Sequence, residues 1–344
     1  MIRSDIRSLS AYHVQDSDGL IKLDAMENPF ELPEEFRIHW AAHLSQTHVN
    51  RYPDASMLAL REKIAARDGV SPEQILLGNG SDEIIQMLLL AADKGACLTP
   101  APTFVMYDTV SRWLRRDTAS VSLTADFDLN PDRFLKACTR EKAAIVFLAC
   151  PNNPTGNMWS FEAVKKIAEY FRGMVVIDEA YFPFASHDHL SLVGKNVLVL
   201  RTFSKMGFAG LRLGYLVGDA DVIAHLNKVR MPYNINSLTQ STASFFLDHS
   251  ALFDAQVSII KDERTKVAKK LKSMKGVEVF ASEANFLLFR VDDANTVFEQ
   301  LLEKGILIKN MHSYHPLLRQ CLRVTIGKVE ENEAFIMAMK EILA

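Results

Sequence analysis

Between residues 71 and 218, short apolar runs alternate with segments whose apolar residues recur at helical spacing. An apolar run with no polar alternation needs cover on both faces, which is the situation of a parallel strand flanked by helices. The rhythm therefore predicts an α/β fold, a three-layer αβα unit around a mainly parallel sheet. Residues 143–149 form one continuous apolar run that stops at Pro151-Asn-Asn-Pro154-Thr-Gly156, where two prolines and a glycine end strand pairing. Ser160 then offers a cap for a helix whose residues Phe161, Val164, Ile167, Ala168 and Phe171 share one apolar face up to Gly173. Residues 174–177, 196–200 and 214–217 read as further strands.

After Met231-Pro232 the pattern changes. A long charged helix over about 251–275, strands at 277–280, 285–291 and 321–326, and a terminal helix predict a smaller α+β unit. The expected division is an N-terminal arm over 1–30, a large unit over 31–232 and a small C-terminal unit over 233–344, in keeping with a chain of 344 residues. The lysine-rich stretch 266–275 carries Val267, Leu271 and Met274 at helical spacing, continuing Val257 and Ile260, so it reads as the solvated face of an amphipathic helix. With 39 basic against 42 acidic residues, a net charge of −3, no nucleic-acid partner is expected. No apolar run reaches the ~18–20 residues of a membrane span. The N-terminal Met-Ile-Arg-Ser-Asp-Ile-Arg lacks the apolar core of a signal peptide, so the expectation is a cytoplasmic protein with no membrane partner. Cys97, Cys138, Cys150 and Cys321 lie far apart without a CxxC pair, which fits reduced core thiols. His187, His189, His312 and His315 lack the HExxH spacing, and no metal site is expected.

In open α/β sheets ligands sit beyond the carboxyl ends of the strands. Three apolar runs deliver polar groups there: Asn153 after the first, Asp178-Glu-Ala-Tyr181 after the second, and Arg201-Thr202-Phe-Ser204-Lys205, followed by Arg212, after the third. A carboxylate at a strand end is costly to bury unless a cation meets it, so Asp178 alone reads as half of a structural ion pair. The combination meets the needs of pyridoxal phosphate. An amine, Lys205, is required for the imine. A carboxylate, Asp178, keeps the ring nitrogen protonated so that the ring accepts the electron pair left on Cα. Asn153 and Tyr181 are neutral donors for the ring oxygen, and Arg212 with hydroxyls and amide N–H groups suits the phosphate. Upstream, Gly78-Asn-Gly80-Ser81-Asp82-Glu83 precedes a helical run over 84–92; a helix N-terminus can seat a phosphate, but by itself the segment reads as a helix start capped by Ser81.

Over residues 24 to 323 the sequence resembles the type I fold family of pyridoxal-phosphate enzymes and, within it, the histidinol-phosphate aminotransferases. The most specific piece is Arg201-Thr-Phe-Ser-Lys205-Met-Gly-Phe-Ala-Gly-Leu-Arg212-Leu-Gly-Tyr, similar to the family's imine-lysine motif. Asn153, Asp178, Lys205 and Arg212 follow in the family's order at separations of 25, 27 and 7 residues. The resemblance implies cofactor contacts from Gly80, Ser81 and Asp82, mainly through backbone amides, and from Thr202 and Ser204. It implies a ring stacked on the pyridine from Tyr107, in Pro102-Thr-Phe-Val-Met-Tyr107. Tyr52, in Arg51-Tyr-Pro53, resembles a tyrosine that reaches the neighbouring subunit's cofactor phosphate, which makes the expected assembly a homodimer. Tyr12 and Asn28 are implied substrate contacts, although Ala11 stands where the family more often has proline. Arg323 resembles the arginine that binds the substrate anion, and Lys309 stands where family members often carry an arginine for the substrate phosphate. The implied activity is amino exchange between L-histidinol phosphate and 2-oxoglutarate, giving imidazole acetol phosphate and glutamate in histidine biosynthesis. An aromatic-amino-acid aminotransferase and a threonine-phosphate decarboxylase use the same machinery and are the alternatives, with a non-catalytic scaffold as a third.

Overall fold

The apolar runs pair into one seven-stranded sheet, built from β1 (Ile75–Asn79), β2 (Ala96–Ala101), β3 (Thr118–Ser122), β4 (Ala143–Ala149), β5 (Met174–Asp178), β6 (Val197–Thr202) and β7 (Leu213–Val217). The structure is a computed structural model that describes residues 1–11 and 15–344. The strand order is β1-β7-β6-β5-β4-β2-β3, parallel except at β7, which runs antiparallel to both β1 and β6. The reversal follows from chain length. Only residues 203–212 separate β6 from β7, fewer than the dozen or more a parallel crossover needs. Leu76, Phe147, Val176, Leu198 and Leu216 pack under the helices Ser81–Ala91 and Met106–Trp113. The alternate residues, among them Leu77, Val146, Leu148, Val175, Ile177 and Val199, pack against Leu58–Asp68 and Phe161–Tyr170. Both faces are thus covered, as the unbroken apolar runs require.

Ser160 caps its helix by accepting from the Ala163 N–H at 3.2 Å. That helix ends at Tyr170, so Phe171 belongs to the extended cap rather than the helical face, and a Cβ on Gly173 would collide with the Ala144 carbonyl. The helix expected from residue 84 begins at Ser81, and its cap is Gly80 at φ +79°, not Ser81. Glycine takes that backbone freely.

The C-terminal strands β8 (Glu278–Val279), β9 (Phe286–Arg290), β10 (Lys309–Asn310) and β11 (Cys321–Thr325) form an antiparallel sheet in the order β10-β11-β9-β8. Helices Ser250–Lys272 and Val329–Ile342 cover it, burying Val257, Ile260, Val267, Leu271, Phe335 and Met339 with Phe286 and Phe289. Ile21–Lys22 pairs in parallel with Ile306–Leu307, and Thr325 N–H donates to the Leu23 carbonyl at 2.8 Å. These bonds tie residues 21–23 to the C-terminal unit, Leu23 to its four-stranded sheet through Thr325. All four cysteines are free and buried. Among the described residues no helix is long and apolar enough to cross a membrane.

Candidate active site

Asp178 is the last residue of β5, level with Ala149 of β4 and Leu200 of β6. It lies on the same sheet face as Val176, under the helix that carries Tyr107. Its Oδ2 accepts from the Tyr107 hydroxyl at 2.6 Å and its Oδ1 from the Ala180 N–H at 3.0 Å. Burial pushes the carboxyl up to about 6, against the pull of these two bonds. Tyr107 itself is fully buried and lies flat on Phe147, centroids 4.6 Å apart at 9°. Its place is therefore different from the ring-stacking one that the resemblance implies. Phe104, edge-on to Tyr107 at 5.5 Å and only partly buried, is the aromatic ring of that segment that keeps exposed surface.

Lys205 sits in a single 3₁₀ turn, Ser204–Met206, directly after β6. Its Nζ lies 3.5 Å from the Ala25 carbonyl oxygen and 5.8 Å from the centre of the Tyr181 ring. Burial first, then the positive charge of Arg323, pushes the amine down to about 8. The Tyr181 hydroxyl meets the Met26 sulfur at 3.3 Å, and burial raises its pKa. Met26 is held at φ +54° by a 2.9 Å bond from its N–H to Thr325 and a 3.0 Å bond from Asn285 to its carbonyl. The Thr202 and Ser204 hydroxyls, both buried, lie 3.0 Å apart at the base of the turn.

Arg212 reaches the N-terminus of the Ser81–Ala91 helix, with Nη2 3.2 Å from Asp82 Oδ2. Two glycines make that approach possible. A Cβ on Gly80 would stand 2.6 Å from Arg212 Nη2, and one on Gly214 2.7 Å from the Ser81 nitrogen. Free helical N–H groups, the positive end of the helix and a guanidinium converge on a spot kept clear of side chains, which suits a phosphate ester. With Asp178 and Lys205 at neighbouring strand ends, these residues fit pyridoxal phosphate.

Arg323, from β11, is buried, and its Nη1 donates to Asn153 Oδ1 at 2.6 Å while its Nη2 donates to the Asp24 carbonyl at 2.9 Å. Fixing the Asn153 oxygen in this way commits its NH₂ group to donation elsewhere. Lys309 pairs with Arg323 across β10 and β11 and lies 6.0 Å from the Tyr314 ring. Other candidates stand apart. Asn28 is spent within the chain, donating to Gln256 at 2.9 Å and the Met206 carbonyl at 3.3 Å and accepting from the Phe30 N–H. It braces the lysine turn instead of opening toward a substrate. Tyr52 is 81% exposed and stacks on Tyr233 at 4.6 Å. Tyr12 lies outside the described residues.

A cluster of buried charge behind the site escaped sequence reading. Arg201, 2% exposed, donates through Nε and Nη2 to Glu179 Oε2 at 2.9 and 2.7 Å, and Nη1 lies 3.1 Å from Asp68 Oδ2. Glu179 Oε1 also accepts from the His189 N–H at 2.7 Å. The signal was present, since Glu179 follows β5 and Arg201 lies near the end of β6, both on the face opposite Asp178, but Asp68 comes from a distant helix. Removing the guanidinium leaves Glu179 and Asp68 buried without the cation they share. Arg201→Met is expected to destabilise the fold by ~3–5 kcal/mol, read as a lower urea midpoint of the cofactor-free protein.

The aminotransferase class I and II family pattern matches residues 18–339. Histidinol-phosphate aminotransferase 2 of Cupriavidus pinatubonensis is 47% identical over 348 residues, covering 98% of this chain and 95% of that protein. The histidinol-phosphate aminotransferase of Methylibium petroleiphilum is 42% identical over 351 residues, covering 100% and 95%. Among solved structures, the histidinol-phosphate aminotransferase of Sinorhizobium meliloti in complex with pyridoxal-5'-phosphate superposes with a TM-score of 0.89 over 99% of this chain and 97% of that one, at 22% identity, a likeness of fold. The L-threonine-O-3-phosphate decarboxylase of Porphyromonas gingivalis shares the fold at a TM-score of 0.79 and 22% identity, over 94% of this chain and 99% of that one. By the family match and the near-complete span of its curated relatives, the chain belongs to the class I and II aminotransferases and, within them, to the histidinol-phosphate aminotransferase family.

Proposed function

We propose that this chain, with pyridoxal phosphate bound, exchanges an amino group between L-histidinol phosphate and 2-oxoglutarate. The observation that carries the reading is the 47% identity, over nearly the whole chain, with a protein bearing that activity's name. What pyridoxal phosphate supplies when bound is a protonated conjugated ring that takes up the electron pair left on the substrate's Cα. Asp178 holds the ring nitrogen's proton. Asn153 and Tyr181 donate to the ring oxygen, and Phe104 covers a ring face. Arg212 grips the phosphate together with the amides of Gly80, Ser81 and Asp82 and the hydroxyls of Thr202 and Ser204. Lys205 would hold the cofactor and, as a free amine, would take up the proton that leaves the substrate's Cα and give it back on the cofactor side, so that no proton is gained or lost. The Arg323 fork suits a carboxylate or a phosphate, so one residue serves both half-reactions, with Lys309 adding charge beside it.

We further propose a homodimer whose two chains share each site through Tyr52. Val49, Tyr52, Met231 and Tyr233 are large apolar side chains left exposed on two segments that meet at the Tyr52–Tyr233 stack and at Arg230, which donates to the Ala55 carbonyl at 3.0 Å. For the chain's organisation we propose the arm 1–30, a cofactor-binding unit 31–232 and a small unit 233–344. Every strand of the large sheet falls in the second, and every strand of the four-stranded sheet in the third.

The test is a single-turnover experiment in which the pyridoxal form is mixed separately with histidinol phosphate, phenylalanine, tyrosine and threonine phosphate. Histidinol phosphate is expected to convert the cofactor to its amine fastest. Faster conversion by an aromatic amino acid, or release of carbon dioxide, overturns the substrate assignment. Arg323→Ala should raise KM about 10–100-fold for histidinol phosphate and for 2-oxoglutarate; a rise for neither removes Arg323 from the site.

A further inference from the structure

We propose that Tyr107 is a positioning residue that keeps Asp178 ionised and aimed at the cofactor's ring nitrogen, an inference that rests on the function proposed above. Three observations carry it. The tyrosine hydroxyl and the Ala180 N–H, at 2.6 and 3.0 Å, hold one carboxylate oxygen each. With both oxygens tied, the carboxylate plane is fixed and the remaining lone pairs are left for the ring N–H. The tyrosine cannot turn away, because it is fully buried with its ring flat on Phe147 of β4 and Phe104 against its edge. Finally, Asp178 is surrounded by groups that oppose its charge or leave it uncompensated. Asp82 faces it from the Ser81–Ala91 helix, Glu179 and Tyr181 from its own turn, and Tyr107 from the Met106–Trp113 helix. Among these Tyr107 donates a side-chain hydrogen bond, and a bond to a charged acceptor is worth more than one between neutral groups. Asp178 binds the ring nitrogen well only while ionised, so the hydroxyl acts on the cofactor at second hand, without touching it.

Tyr107→Phe removes one oxygen and keeps the stack. The cofactor-free native and variant chains are titrated with pyridoxal phosphate and with an analogue that has CH in place of the ring nitrogen. The expected result is an affinity for pyridoxal phosphate about tenfold to a hundredfold weaker in the variant, with the affinity for the analogue unchanged. In an Asp178→Asn background the same substitution should have no effect on either compound. Phe147→Leu, which keeps the hydroxyl but removes its shelf, should give the same pattern at smaller amplitude. A structural role would weaken both compounds alike and lower the unfolding temperature of the cofactor-free variant. Equal losses, no loss, or a loss that persists beside Asn at 178 would overturn the proposal. Failure of the native chain to bind pyridoxal phosphate would overturn the proposed function itself, and this inference with it.

Discussion

Replacing Lys205 with alanine is expected to abolish turnover, with a loss of at least ~10⁴-fold, while the chain remains folded. The amine is both the anchor for the cofactor and the group that carries a proton, and both tasks need it neutral. An ordinary lysine is neutral to roughly one part in 3000 at pH 7. Burial and the neighbouring Arg323 charge lower this one to about 8, so about a tenth is neutral at pH 7. The rate at which cofactor-free protein takes up pyridoxal phosphate should therefore rise with pH through about 8 and level off above it, not near 10.5. The same shift sets the effect on stability. The unfolded chain binds the proton more tightly than the folded one, so the native lysine weakens the fold as pH falls through its unfolded and then its folded pKa. At pH 7 the alanine variant escapes that penalty of ~1–3 kcal/mol, which offsets the small cavity it leaves. Borohydride treatment of the native protein followed by peptide mass analysis should put the cofactor's added mass on the Lys205 peptide. Normal turnover by the alanine variant would end the assignment.

The strands β4 to β7 were legible because apolar residues dominate each, and burial on both faces fits the unbroken runs 143–149 and 174–177; β3, Thr-Ala-Ser-Val-Ser at the sheet edge, was not, because most of its residues face solvent. The antiparallel β7 was also legible in principle, from the ten residues that precede it. The Gly80 cap was not, since a serine at the head of a helix is the commoner cap, and only the structure shows the positive φ and the approach of Arg212 that call for a bare glycine there. The roles within the site divide along the same line. Asn153, Asp178, Lys205 and Arg212 sit at strand ends or just beyond, so local sequence locates them. Tyr107 and Asp178 meet across 71 residues, and Arg201 and Asp68 meet across a still longer stretch of chain, contacts that no periodicity encodes. The place that the resemblance implies for Tyr107, against the cofactor ring, differs from its buried position for a related reason. Its spacing in the Met106–Trp113 helix puts it on the buried face with Val110 and Ser111, where its ring has Phe147 for a neighbour.

Asp178→Asn isolates the electrostatic part of the chemistry from the covalent part. Its expected signature is a fall in kcat of ~10³-fold with pyridoxal phosphate still bound, because Lys205, Arg212 and the helix N-terminus are untouched. An amide cannot hold the ring nitrogen's proton as a carboxylate does, so the ring loses its capacity to accept the Cα electron pair. The amide also has to choose an orientation. The Ala180 N–H can only donate, so it claims the amide oxygen, which leaves the NH₂ to donate to the Tyr107 oxygen and reverses the direction of that bond. Stability moves in the opposite direction. Burial raises the carboxyl to about 6, so the folded chain holds its proton more tightly than the unfolded chain, and stability is lost as pH rises from the unfolded value to the folded one. At pH 7 the cofactor-free asparagine variant should therefore unfold no more easily than the native chain. In the native enzyme the same titration predicts cofactor affinity falling as pH drops through about 6, and in the variant that dependence should flatten. Deuterium at the substrate's Cα provides the deciding readout. With the electron sink weakened, removal of that proton becomes the slow step, and a large isotope effect on kcat should appear in the variant; turnover near the native rate with no isotope effect would remove Asp178 from the mechanism.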